Sequence, residues 1–459
     1  MGAAISVICS GCFNQGGSAL HRAARLGRAD RIEQLLHEAD VALEEHGGRY
    51  GWTPLMEAVG MGQKRAAICL LDAGADIEAR GTEQQTALHE AAENGSVAFL
   101  SMLLERGADI EAADKWGQTA LILAAKFDYE QVVVFLVARG AHLEARDKGG
   151  RTALTAAALN GCRQVVDVLL DAGADLDATD NNKQTVLMTA AKFGQTDMVD
   201  YLARIGAEIN AVDNEGRTAL GIAGINNERG SVTALLSRGA AFDTLFGTGS
   251  TSAVHFAAAH GQTAMVKLML ENDAAIDSTN MANETTLMAA CKAGQTATIT
   301  MLLKMRATPD LADASQQTPL IAAAKAGMAA PVAALLEGGA NANVADNVGN
   351  TAVAYAVAGR HLKAAALLRS RGGKAGESEA PILKEEKEKD EWQELEFRPP
   401  SVLTPALADD DDKSHGSKET QSAKGEATVH HNRSSNLSPK ALMSSYVIAT
   451  TQNRNVVYL

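Results

Sequence analysis

Residues 147–180 read DKGGRTALTAAALNGCRQVVDVLLDAGADLDATD. Asp147-Lys148-Gly149-Gly150 is turn chemistry, with Asp suited to an Asx-turn and Gly to a positive φ. Thr152 suits the cap of a short helix opening at Ala153. Asn160-Gly161 tolerates the left-handed conformation that ends such a helix. Val165, Val166, Val168, Leu169 and Leu170 mark a second helix, which Gly173 closes. Ala174-Asp175-Leu176-Asp177-Ala178 then runs outward to the next turn.

Outward from this unit, the pattern Thr-x-Leu-x-x-Ala recurs in both directions. Its Leu or Val falls at Leu20, Leu55, Leu88, Leu121, Leu154, Leu187, Leu220, Val254, Leu287, Leu320 and Val353. All steps are 33 residues except the first, 35, and the seventh to eighth unit, 34. A fixed period in this range means a stack of supersecondary units rather than one globular core. One such unit lies below the ~40 residues at which a chain usually needs outside help to fold. Stacking supplies that help: Ala-rich first helices approach closely, and the Leu and Val of second helices fill the space between units. The expected fold is an all-α repeat solenoid of helix-turn-helix units with β-hairpin loops.

Ser18-Ala19-Leu20-His21, Thr53-Pro54-Leu55-Met56, Thr86-Ala87-Leu88-His89 and Thr318-Pro319-Leu320-Ile321 carry a finer signature, as do Gly74-Ala75-Asp76-Ile77 and Gly107-Ala108-Asp109-Ile110. The unit resembles the ankyrin repeat, a β-turn plus two antiparallel helices marked by Thr-Pro-Leu-His-x-Ala. The resemblance covers residues 16–374. Ala replaces the family's Pro at Ala87, Ala120, Ala153 and Ala219, a change the first helical turn tolerates. The resemblance implies a protein-binding stack whose hairpin tips and first helices form a concave face. It implies contacts from the two positions after the turn Asp and from the end of the first helix. In this register those are Lys115, Trp116, Lys126, Phe127 and Tyr129 in the fourth unit. They continue as Lys148 and Asn160, then Asn181, Asn182, Lys192 and Phe193, with Lys292 and Lys325 further on. The rings stand out in a chain only 4% aromatic, and surface aromatics often anchor interfaces. The alternative is that they pack between units. His21, His89 and His255 fall at the family's His position and are expected to hydrogen-bond within or between hairpins.

Of 459 residues, 46% are hydrophobic, and the net charge is −14. That balance argues against a nucleic-acid surface, which needs a basic stripe. Lysines beside the rings nonetheless favour an acidic partner. Cys69, Cys162 and Cys291 read as small hydrophobes in a reducing compartment. No segment reaches the ~18 apolar residues of a membrane span. Gly247-Thr248-Gly249-Ser250 lacks the third glycine and the βαβ context of a dinucleotide site. With no metal-ligand spacing and no nucleophile–base set, the chain is expected to be no enzyme, to carry no cofactor or metal, and to be monomeric.

The ends carry separate signals. Met1-Gly2-Ala3-Ala4-Ile5-Ser6 fits the N-myristoylation pattern. One myristoyl chain binds membranes only marginally, so stable anchoring takes a second signal. No Lys or Arg precedes Arg22, which leaves Cys9 and Cys12 as S-acylation candidates. The missing positive charge also argues against a secretory or lipoprotein signal. Residues 1–15 are therefore expected to be an acylated membrane anchor, 16–374 the solenoid, and 375–459 a disordered charged tail. In the tail, 384–397 could form a short helix around Trp392, Leu395 and Phe397. Val457-Tyr458-Leu459 fits a carboxylate-capturing PDZ ligand. Two glycines, Gly221 and Gly224, mark the seventh unit as the weakest joint, since each costs about 1 kcal/mol in a helix relative to Ala.

The expectation that follows is a scaffold or adaptor. It would be held by Gly2, Cys9 and Cys12 at the cytoplasmic face of the plasma membrane, or lie in the cytosol if unacylated, and bind proteins on its concave face. The alternative is a regulatory or substrate-recruiting subunit of an enzyme complex such as a ubiquitin ligase or kinase.

Overall fold

The computed structural model describes residues 17–37, 42–47, 50–242, 245 and 251–374. Gly2, Cys9, Cys12, the 384–397 segment and Val457-Tyr458-Leu459 lie outside them, so those expectations have no structural account. One compact unit, residues 1–390, holds every described residue.

Among the described residues, twenty-two helices, from Ala19–Arg25 to Leu362–Ser370, follow one another in eleven pairs. The first helix of a pair has seven or eight residues and the second eight or nine. The solenoid expectation holds. The β-hairpin loops are reduced to isolated bridges: Gly47 with Trp52, Thr179 with Thr185, Thr279 with Thr285 and Ala345 with Thr351.

The fifth unit shows why the sequence folds this way. Asp147 Oδ1 accepts the backbone N–H of Gly149 at 2.8 Å and of Arg151 at 2.9 Å, which closes the turn. Gly150 sits at φ +81°, a conformation Gly adopts at no steric cost. Thr152 Oγ1 accepts Thr155 N–H at 3.3 Å and caps the helix Ala153–Asn160. Gly161, left-handed at φ +72°, ends it. The second helix, Arg163–Asp171, buries Val165, Val166 and Leu169 completely. Each such side chain contributes roughly 1.5–3 kcal/mol by leaving water. The same capping bond recurs at Thr119, Thr185, Thr285, Thr318 and Thr351.

Three devices join units. First helices pack on first helices, and Ala91, Ala92, Ala124, Ala125, Ala157 and Ala158 at their contacts are fully buried. Hairpin tips form a ladder: Lys148 N–H donates to Trp116 C=O at 2.7 Å, Asn181 to Gly149 at 3.0 Å and Asn214 to Asn182 at 3.0 Å. On the far side, Glu111 Oε1 accepts His142 N–H at 2.8 Å and Glu144 Oε1 accepts Asp175 N–H at 2.9 Å. These bonds explain why an acidic residue recurs after Ala-Asp in the outward-running segment.

The histidines add a fourth tie. His89 Nδ1 faces Thr86 Oγ1 at 2.9 Å, while its Nε2 faces Gln118 C=O in the next unit at 3.0 Å. A carbonyl only accepts, so Nε2 carries the proton and Nδ1 takes the hydroxyl's. His21 spans to Trp52 C=O and His255 to Ser278 and Glu284 in the same manner.

Gly224 in the seventh unit has a packing reason that composition hid. A Cβ there would stand 3.0 Å from Met269 Cε and 3.4 Å from Ala253 Cβ of the eighth unit. The turn between these units, 246–250, lies outside the described residues.

Candidate functional site: the hairpin face of units four to six

The residues singled out in sequence fall on the face made by hairpin tips and first-helix ends, but they divide into two kinds. Trp116 is 50% exposed, Phe127 43% and Phe193 49%. Trp116 follows the turn Asp of the fourth unit, whose Oδ1 holds the Trp116 N–H at 2.8 Å. Phe127 and Phe193 are the C-cap residues of Ala120–Lys126 and Val186–Lys192. The helix end fixes each backbone and leaves the ring outside the core.

A lysine accompanies every ring. Lys115 Nζ lies 4.5 Å from the Trp116 ring centre, Lys126 Nζ 5.3 Å from Phe127 and Lys192 Nζ 5.9 Å from Phe193. Such contacts are worth about 0.5–1 kcal/mol at exposed sites. Lys115 is also ion-paired with Glu83. Lys126 and Lys192 have no carboxylate at ion-pair distance among the described residues, so their charge is available to a ligand. Helix axes at ~8–10 Å spacing put Phe127 and Phe193, two units apart, roughly 20 Å from each other. That span suits an extended or helical segment rather than a small molecule.

The other residues have structural employment. Tyr129 is half-buried, and its ring lies against Gly95, where a Cβ would stand 2.7 Å from Tyr129 Cδ1. It packs between units, as the alternative reading held, while its edge meets Phe127 at 6.4 Å between ring centres. Asn181 Nδ2 donates to Lys148 C=O at 2.9 Å within the tip ladder. Asn160 Nδ2 donates to Lys126 C=O at 3.1 Å. Asn182, Lys148 and Asn181 are exposed at the tips. Lys292 is ion-paired with Glu284, and Lys325 lies 5.4 Å from the Tyr355 ring centre.

Sequence reasoning passed over the second and third units. There the first helices carry Glu57 and Glu90, and Glu93 stands at the position of Lys126, with Trp52 at the turn before the second unit's first helix. Glu57 is 3% exposed and Glu90 5%. Carboxylates at positions that elsewhere hold Leu123, Ala156 or Ile222 were a legible signal. Burial pushes the Glu90 carboxyl up to about 8, with Glu93 and Glu57 adding to the shift.

Nothing in the described residues gathers three His, Cys, Asp or Glu side chains around a metal position. Cys162 and Cys291 are buried free thiols, and burial raises both, Cys162 to about 12. No helix among the described residues is long and apolar enough to cross a membrane.

The family model "Ankyrin repeats (3 copies)" matches residues 20–114, 88–180, 173–246, 245–313 and 287–377. The chain therefore belongs to the ankyrin-repeat family, whose members are in general protein-interaction modules rather than enzymes. No curated protein matches it.

Proposed function

We propose that this chain is a protein-binding scaffold whose hairpin face in units four to six receives an acidic partner segment. The observation that carries the reading is the set of three exposed rings, Trp116, Phe127 and Phe193, each beside a lysine on one face. Rigid aromatic anchors and unpaired cations are what an interface uses for affinity and orientation. The scaffold is held at a membrane by acyl chains on Gly2 and on Cys9 or Cys12, and tethering raises the local concentration of its partners.

Two measurements test the two halves separately. A photo-crosslinking residue at position 127 is expected to capture protein in cells, whereas one at Val134, exposed on the second helix of the same unit, is expected to capture far less. Equal capture at both positions would sink the site. Full-length protein expressed in eukaryotic cells with a clickable myristate analogue is expected to be labelled and to sediment with membranes, and Gly2→Ala to be unlabelled and soluble. If both stay soluble and unlabelled, the anchor is wrong and an untethered adaptor remains.

A further inference from the structure

The first two units differ from the rest where each second helix begins. Its cap and the next three residues are Arg28, Ala29, Asp30 and Arg31 in the first unit, and Gln63, Lys64, Arg65 and Ala66 in the second. All four cations are exposed. In units three to eleven the same positions hold three cations in all, Arg163, Arg229 and Lys363, against three acids, Glu130, Asp197 and Glu228. The repeat supplies its own control: stacking does not require a net positive start to the second helix.

The fold gathers these cations on one surface. The two loops touch, since a Cβ on Gly27 would run into Gln63 Oε1. Arg28, Arg31 and Arg65 border one open depression of about 300 Å³, together with Gln34 and a single acid, Asp30. Arg31 donates to Gln34 Oε1 at 3.2 Å. Arg28, Lys64 and Arg65 have no carboxylate at ion-pair distance among the described residues. Glu33, the other acid of that first-unit helix, accepts the Cys69 thiol at 3.8 Å. Cations concentrated against a chain charge of −14 make a local field that favours an anionic partner. They stand exposed on two loops rather than enclosed, which fits a plane of headgroups better than a single anion.

The course of the chain leads to the same place. Arg22 Nη1 donates to Gly17 C=O at 3.1 Å, so the described chain starts against the first unit. Gly2 lies 15 positions earlier, a reach of at most ~50 Å. We propose that the surface formed by Arg28, Arg31, Lys64 and Arg65 docks on anionic phospholipid headgroups. Docking supplies the basic second signal that the sequence before Arg22 lacks, and it rests on the membrane reading above only for the acyl chain that delivers the surface to the bilayer. Each cation near such a surface tightens binding by about five-fold.

The test is made independent of acylation. Full-length chain with an N-terminal hexahistidine is held on phosphatidylcholine vesicles by a nickel-chelating lipid, and binding is read by flotation. Adding phosphatidylserine to about one lipid in three is expected to tighten binding by about 100-fold, and raising salt to about 0.5 M to remove that gain. The triple variant Arg28→Gln, Lys64→Gln, Arg65→Gln is expected to lose the gain, while the same three positions changed to Lys, or left as Lys, keep it. Arg163→Gln, Arg229→Gln, Lys363→Gln, with the same change in net charge, is expected to keep it within about two-fold. Phosphatidylserine that leaves binding unchanged or weakens it would overturn the docking surface, whatever the fate of Gly2. So would equal losses in the two Gln triples, which would mean that net charge alone is sensed. Glycerophosphoserine that displaced the chain at the headgroup concentration of the vesicles would place a soluble anion in the depression, and would overturn it as well.

Discussion

Units two and three and units four to six are built on one backbone, yet they present opposite chemistry. At the same three first-helix positions the third unit carries Glu90, Glu93 and Asn94, and the fourth carries Leu123, Lys126 and Phe127. Both helices are capped by threonine, run seven residues and pack on their neighbours through alanine. The difference teaches that stacking uses the Thr, Leu, His and Ala positions and leaves the helix end, Lys126 and Phe127 in the fourth unit, to the ligand, while Leu123 stays in the core. The acidic stretch turns a carboxyl inward without a partner. The basic stretch turns rings outward.

That contrast is most easily broken at the rings. Phe127→Ala with Phe193→Ala is expected to weaken partner binding to this face by about 1,000-fold, since anchors of this kind carry roughly 2 kcal/mol each and 1.4 kcal/mol is tenfold. Stability should stay within about 0.5 kcal/mol, as for surface changes generally. Tyr129→Ala should do the reverse. It opens a void against Gly95 and is expected to cost about 1–2 kcal/mol in urea unfolding while leaving capture nearly intact. If all three changes lower stability alike, the exposed rings belong to the packing.

The acidic stretch should respond to pH instead. Glu90 has a folded-state pKa raised to about 8, above the ~4.3 of an unfolded chain. The folded state binds the extra proton, so this contribution to stability is fully present below ~4.3 and is lost as pH rises to about 8. Glu90→Gln is expected to flatten that decline and to be more stable at pH 9, by on the order of 1–2 kcal/mol. His89 and His255 work in the other direction. Burial holds both below the ordinary value, so their contribution is present above ~6.5 and is lost as pH falls through the lowered value. Melts of the intact chain and Glu90→Gln at pH 5, 7 and 9 would separate these effects, and parallel curves at all three would show that Glu90 is already satisfied by water.

Most of the fold was legible because the repeat multiplies each weak signal. One Asx-turn or one threonine cap is ambiguous; a Thr or Ser opening the first helix in all eleven units in register is not. The Asp147 turn, the Thr152 cap and the Gly161 stop all appear where their chemistry predicts. The site was legible only in part. Exposure of Trp116, Phe127 and Phe193 follows from register. Register does not reveal that Tyr129 meets Gly95 of the preceding unit, or that Asn181 is engaged by a neighbouring tip. Both depend on contacts about 33 residues away. That the Trp52 ring lies over Gly60 beside the Glu90 carboxyl was hidden for the same reason, since Gly60 and Trp52 lie one unit back. Gly224 looked like a weakness by helix propensity, and its close approach to Met269 needed the next unit to be visible.

The smallest effect is expected at a seam, where it isolates what is special about Glu90. The residue opening the second helix usually rests on the glycine of the preceding unit. Gln195 and Gln295 do so, against Gly161 and Gly261, and Gln195, Gln262 and Gln295 donate from Nε2 to Leu159, Ile225 and Ala259 C=O at 3.0, 3.3 and 3.1 Å. Glu228 occupies this position against Gly194, but an ionised carboxylate has no proton to donate. Burial raises its pKa, so its contribution too is present at low pH and fades as pH rises through the folded value. Glu228→Gln restores the donor and is expected to add about 0.5–1 kcal/mol at pH 8, the net worth of one hydrogen bond, with the gain shrinking as the carboxyl protonates. Hydrogen exchange should slow at the joint of units six and seven. Two half-buried or buried carboxyls, each replaced by Gln, would then gain for different reasons: Glu228→Gln adds a seam hydrogen bond, while Glu90→Gln removes an acid that burial disfavours. If Glu228→Gln left stability and exchange at this joint unchanged, water would already satisfy the carboxyl at the seam.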